Sequence, residues 1–175
     1  MRPNRWMSLR HCALAVLTVL AAVCTLVAGR ASPAVAMLQP FAGVTPQRLL
    51  ETRVGPGLTT IDGQQQGTGA FGAAETRHVP VLGRGTIPAS GVAAVAINVT
   101  AINPSSTAFI TVFPKGATQP TASNLNTAAG RTLPNMVVVP LGADGAISIF
   151  NSAGTVNLAV DVLGWFPSGS GFTGA

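Results

Sequence analysis

Beyond its first three dozen residues the chain nowhere keeps a helical period for ten residues beside a capping pattern. It breaks instead into short apolar runs punctuated by turn-forming residues. The run from Thr155 to Phe166 sets Val156, Leu158, Val160 and Val162 on one side and Asn157, Ala159, Asp161 and Leu163 on the other, the period of a half-buried strand. Val92 to Ile102 does the same, with Val95, Ile97 and Val99 against Ala96, Asn98 and Thr100. Shorter strand signals lie at Gln47 to Arg53, Thr76 to Leu82, Thr107 to Phe113, Asn135 to Leu141 and Ala146 to Phe150. Pro80 cannot donate to a ladder, which makes its run an edge strand.

Turn chemistry suggests how the strands pair. Asn103-Pro104-Ser105-Ser106 separates two strand-like runs and predicts a hairpin. Asp144-Gly145 and Asn151 to Gly154 separate the last three and predict an antiparallel meander, because such residues tolerate the positive φ that tight reversals need. Val54 to Ala74, dominated by Gly, Thr and Gln, shows no hydrophobic face and reads as a long surface loop. The fold expected is all-β, an antiparallel β-sandwich, Ig-like or jelly-roll-like, over residues 47–166. An extended lead-in is expected over 37–46 and a flexible Gly/Ser tail over 167–175.

The first residues predict export. Arg2, Arg5 and Arg10 precede an apolar run from Cys12 to Ala28, and Ala34-Val35-Ala36 offers a small-x-small cleavage site, so residues 1–36 read as a signal peptide cut after Ala36. The competing reading is an uncleaved anchor, since the run sits at the short edge of what spans a bilayer. Val23 before Cys24 argues against lipid attachment. Cleavage takes Arg2, Arg5, Arg10 and Arg30 from the ten basic residues, leaving six against five acidic ones, so the net charge falls from +5 to +1. A nearly neutral domain has no basic stripe for phosphates, so nucleic acid is not an expected partner. Cys12 and Cys24 leave as well, removing any disulfide or thiolate site.

Taken in order, the motifs carry a resemblance. Arg48-Leu49-Leu50-Glu51-Thr52-Arg53, Asn98-Val99-Thr100, Thr111-Val112-Phe113-Pro114, Ser123-Asn124-Leu125-Asn126, Val139-Pro140-Leu141-Gly142 and Asp161-Val162-Leu163-Gly164-Trp165-Phe166 resemble a family of secreted β domains common in actinobacteria. Glu51 stands where that family usually has Asp, and Trp165 where it usually has Tyr. Similar domains occur alone, in tandem or appended to secreted peptidases, amidases and glycosidases. The resemblance spans about residues 41–166 and implies an accessory surface module, with no catalytic residue to carry over.

The side chains present offer little chemistry. Hydrolysis needs a nucleophile, a base and an oxyanion donor set. Past the leader there is one histidine, His78, in a run already read as an edge strand, and there is no Gly-x-Ser-x-Gly elbow. Of the five carboxylates, Asp144 and Asp62 are explained by turns, which leaves few for a glycosidase pair. No calcium-loop series or paired histidines signal a metal, and no cofactor or catalytic residue is expected. Asp161 lies inside an apolar strand and must find donors; Arg48 and Arg53 are the expected partners, tying the first strand to the last. With no tyrosine in the chain, the candidate ligand-binding residues are Trp165 as an aromatic platform, Phe109 and Phe113 on one strand face, and Asn98.

These features predict a secreted, non-catalytic module acting at the cell surface in adhesion or cell-wall glycan binding. Expected partners are cell-wall glycan, peptidoglycan or a secreted protein, with no membrane contact after signal cleavage. A structural subunit that self-associates through strand edges is the alternative from another class, and a divergent secreted hydrolase is a third.

Overall fold

The computed structural model describes residues 41–172. The expected leader, its cut after Ala36, both cysteines and residues 37–40 lie outside them. Within them the chain forms strands β1 (Ala42–Glu51), β2 (Glu75–Pro80), β3 (Val92–Ile102), β4 (Ala108–Pro114), β5 (Leu125–Thr127), β6 (Leu133–Pro140), β7 (Ala146–Asn151) and β8 (Asn157–Pro167). All strand pairs are antiparallel. One sheet runs β1-β8-β3-β6 and the other β2-β7-β4-β5. The all-β sandwich is therefore present, and its strand order is that of a jelly roll rather than an Ig domain. The pairs β1·β8, β2·β7, β3·β6 and β4·β5 nest inside one another. The chain is one long antiparallel ribbon, doubled back at β4–β5 and rolled across two sheets.

Nesting overturns the local pairings that turn residues suggested. β3 and β4 lie in different sheets, so the Asn103 turn is an arch across the core and no hairpin. β6, β7 and β8 alternate between sheets and form no meander. The reversal chemistry is present, with positive φ at Asn103, Asp144, Gly145 and Gly154. Such residues let the chain turn back, but they do not decide whether it returns beside its neighbour or opposite it. Packing decides, because each apolar face must meet another. Ile147 and Ile149 of β7 and Ile110 and Val112 of β4 face Val95, Ile97 and Val99 of β3 and Leu158, Val160 and Val162 of β8 in one core.

Bulges in β1 and β8 reset the side-chain phase. In β1 the register steps from Arg48↔Asp161 to Leu50↔Val160, and the extra residue lets neighbouring Leu49 and Leu50 both be buried. In β8 it steps from Val162↔Ile97 to Gly164↔Ala96, leaving Leu163 as the extra residue. Past that point odd and even positions exchange faces. Trp165 therefore sits across from Val95 and packs on the core, while Phe166 turns outward beside Ala94.

Both ends of the expected domain also differ. β1 begins inside the predicted lead-in, at Ala42. Residues past Pro167 turn back, with the Ser168 amide bonded to the Gly91 carbonyl and Phe172 stacked on Phe166 at 4.9 Å between centroids. Phe166 also meets Phe41 at 5.0 Å, and Gly164 leaves room for the Phe41 ring, where any Cβ would collide.

The segment expected as a surface loop is a strap. It carries Phe71 into the core, fully buried and bridged to Val156. It also lays backbone along the outer edge of β1: the Ile61 amide donates to the Arg48 carbonyl, Glu51 N–H to Gln65, and Gly67 N–H to Glu51. The run containing Pro80, β2, is an edge strand.

Candidate functional site

The four predicted ligand residues do not come together. Asn98 faces outward from the first sheet, and its amide donates to Thr100 Oγ1 at 3.2 Å. Trp165 belongs to the same sheet but has been rotated onto the core by the β8 bulge, where it is half-buried. Phe109 and Phe113 face outward from the second sheet, on the opposite side of the sandwich. Phe113 is only 6% exposed; beside it, the loop after β4 lies over Thr111, whose hydroxyl donates to the Ala122 carbonyl. Phe109 alone, at 36%, presents its ring to solvent.

Around Phe109 the register of the second sheet assembles further groups. Asn126 of β5 stands directly opposite, exposed, its Oδ1 accepting from Ser123 Oγ, while its Nδ2 makes no hydrogen bond among the described residues. Phe150 of β7 lies 6.0 Å from Phe109, tilted by 50°. Beyond it come exposed Thr76 and His78 of β2. One sheet face thus presents aromatic rings beside amide and hydroxyl groups. The sequence reading reached Phe109 but missed Asn126, Phe150 and Thr76, because their adjacency rests on pairing between strands far apart in the chain.

His78 Nδ1 is 3.0 Å from Ser148 Oγ, the contact a hydrolase would use between base and nucleophile. Here Ser148 lies in β7, ladder-bonded to β2 on one side and β4 on the other. The amides flanking Ser148 are spent in those ladders, and no N–H pair is left to hold an oxyanion. The hydroxyl is also buried, which leaves an acyl group no approach.

Among the described residues every carboxylate is spent on a basic partner. Arg48 reaches across from β1 to β8, with Nε on Asp161 Oδ1 at 2.9 Å and Nη2 on Oδ2 at 3.2 Å. Its Nη1 donates to Glu51. Arg53, expected to help hold Asp161, goes to Glu51 instead through Nε, Nη2 and its backbone amide. Glu51, fully buried, thereby fills its acceptor positions. Burial opposes its charge, but the bonds from the Arg53 side chain and backbone, with the charges of Arg53 and Arg48, outweigh that and hold the carboxyl below its ordinary range. The Asp161 hydrogen bond raises the Arg48 pKa, and the Glu51 bond raises that of Arg53.

A second cluster was invisible in the sequence. Arg84, 3% exposed, grips Asp62 with Nε at 2.8 Å and Nη2 at 2.7 Å, and donates to the carbonyls of Leu49, Pro80 and Gln64. The hydrogen bonds from Arg84 pull the Asp62 pKa down to about 2. An arginine between two glycines in a polar stretch gives no hint of burial. Alongside these clusters Arg53, Val54, Gly55, Leu58, Gln66 and Gly67 line an open cleft of about 420 Å³. Among the described residues no group of His, Cys, Asp and Glu is placed to hold a metal ion.

The fold and this surface define a two-sheet β domain with one exposed aromatic-polar face. No protein-family model and no curated protein matches the chain.

Proposed function

We propose that the chain is a secreted, non-catalytic β-sandwich module that works at the cell surface, binding cell-wall glycan through the outer face of its second sheet. The observation that carries this reading is Phe109, an exposed ring flanked by Asn126 with free amide donors and by Phe150, Thr76 and His78. An aromatic face takes the apolar side of a sugar ring, and neighbouring amides and hydroxyls bond its hydroxyl groups. Export is supported by the leader pattern of residues 1–36 and by the resemblance to secreted actinobacterial β domains. A non-catalytic role is supported by the spent carboxylates and by the ladder-bound amides around Ser148. Jelly rolls include lectins, but fold alone assigns no ligand.

The test is sedimentation of the protein with insoluble peptidoglycan and wall polysaccharide. Phe109→Ala should weaken retention about tenfold while thermal unfolding stays near wild type. Equal retention of Phe109→Ala and wild type, or no retention of either, rejects the reading.

A further inference from the structure

The outer edge of the first sheet at β6 differs from every other edge of the molecule. The β1 edge is occupied by the strap from Arg48 to Glu51, β5 is three residues long, and β2 has its Pro80 carbonyl taken by Arg84. β6 runs from Leu133 to Pro140 without a charged residue, and its outward side chains Met136 and Val138 are 64% and 43% exposed.

Ladder parity tells which backbone groups are free. The Leu141 amide donates to Ala93, and the register pairs Val139 with Val95, Val137 with Ile97 and Asn135 with Val99. Odd-numbered β6 residues therefore bond inward to β3, and even-numbered ones point their N–H and C=O groups out of the sheet. Those are Pro134, Met136, Val138 and Pro140. Proline has no N–H, so the open edge displays donors only at Met136 and Val138, bracketed at each end by a position that cannot donate.

We infer that two copies of the chain join through β6, antiparallel about a twofold axis at Val137. In that register Met136 of each copy lies opposite Val138 of the other, and each N–H meets the other residue's carbonyl. Pro134 falls opposite Pro140, so the donorless positions face each other and the ladder stops there. The two apolar side chains meet across the axis on the outer face. Charge permits it: exposed Arg131, which makes no ion pair among the described residues, precedes β6, and Asp144, which follows it, already pairs with Lys115 of its own chain. Antiparallel pairing brings Arg131 of one copy to the end where the second copy's Asp144 stands. The strap occupies the β1 edge from Arg48 to Glu51, which opposes extension of the joined sheet from that side and favours a dimer over a fibre. The inference rests on the sheet edge and is independent of the glycan surface on the other sheet.

The experiment is sedimentation velocity on the purified protein across a concentration series, with Met136→Lys and Val138→Pro beside wild type. Wild type should rise to twice the monomer mass and level off. Both variants, with unchanged circular dichroism, should stay monomeric at the concentrations where wild type is dimeric. In a Cys12→Ser, Cys24→Ser background, oxidation of a mixture of Met136→Cys and Val138→Cys chains should give a cross-linked dimer that neither chain forms alone. A wild-type mass that stays monomeric or climbs past the dimer overturns the inference, as does association the variants leave intact or cross-linking by either chain alone.

Discussion

The first sheet ends in two edges treated in opposite ways. At the C-terminal end of β1, the strap bonds the Arg48 carbonyl and the Glu51 amide and carbonyl, held there by a buried arginine. At β6 no described residue lies along the strand, and protection falls to prolines at its two ends. The contrast teaches that a glycine-rich, apolar-poor segment can be an ordered cover when polar side chains anchor it. Arg84 bonds Asp62 and the Gln64 carbonyl in the strap, with Leu49 and Pro80 in the strands; Arg77 bonds Gly69 and Ala70 while lying 4.4 Å from the Phe71 ring. An edge that lacks such anchors keeps its hydrogen-bonding groups for a partner.

The largest expected effect comes from breaking the closed edge. Arg84→Ala should cost about 4 kcal/mol, because it strands Asp62 beside several carbonyls that lose their donor. A lower midpoint in urea unfolding, with faster hydrogen exchange at Glu51 and Gly67, would register it. Arg84→Lys should recover little, since an ammonium cannot grip both carboxylate oxygens and the carbonyls behind it.

Acid should loosen the same edge more gently. The folded pKa of Asp62 is about 2, below its unfolded value of about 4, so its contribution is complete above pH 4 and is lost as pH falls towards 2. With screening of this partly exposed pair the loss is on the order of 1 kcal/mol. Unfolding midpoints of wild type and Asp62→Asn should converge over that window; a constant gap would contradict the assignment. The smallest effect belongs to the open edge. Met136→Lys should leave the stability of the monomer within about 0.5 kcal/mol of wild type, which urea titration at low concentration would measure.

How much of this was legible depends on how far apart the interacting residues lie. Alternation within β3 and β8 showed which side chains face the core, since period two is a property of a single strand. Pairing was misread wherever a turn linked strands of different sheets, because Asn103 and Asp144 carry the same signal for an arch as for a hairpin. The rotation of Trp165 onto the core was missed for a subtler reason: one extra residue at Leu163 inverts every later position, and Gly164, the only hint of a bulge there, does not say where the register steps. Asp161 invited a search for partners because an acid in an apolar strand is anomalous. Glu51 and Arg84 gave no such anomaly, since their burial follows from the strap's path alone.

The nested pairing gives the final strand an outsized role. β8 lies between β1 and β3, so the first sheet cannot close until β8 has been made. A nascent polypeptide leaving the ribosome therefore holds β1 without its strand partner, and the pairings of both β1 and β3 with β8 form only once that strand has been made.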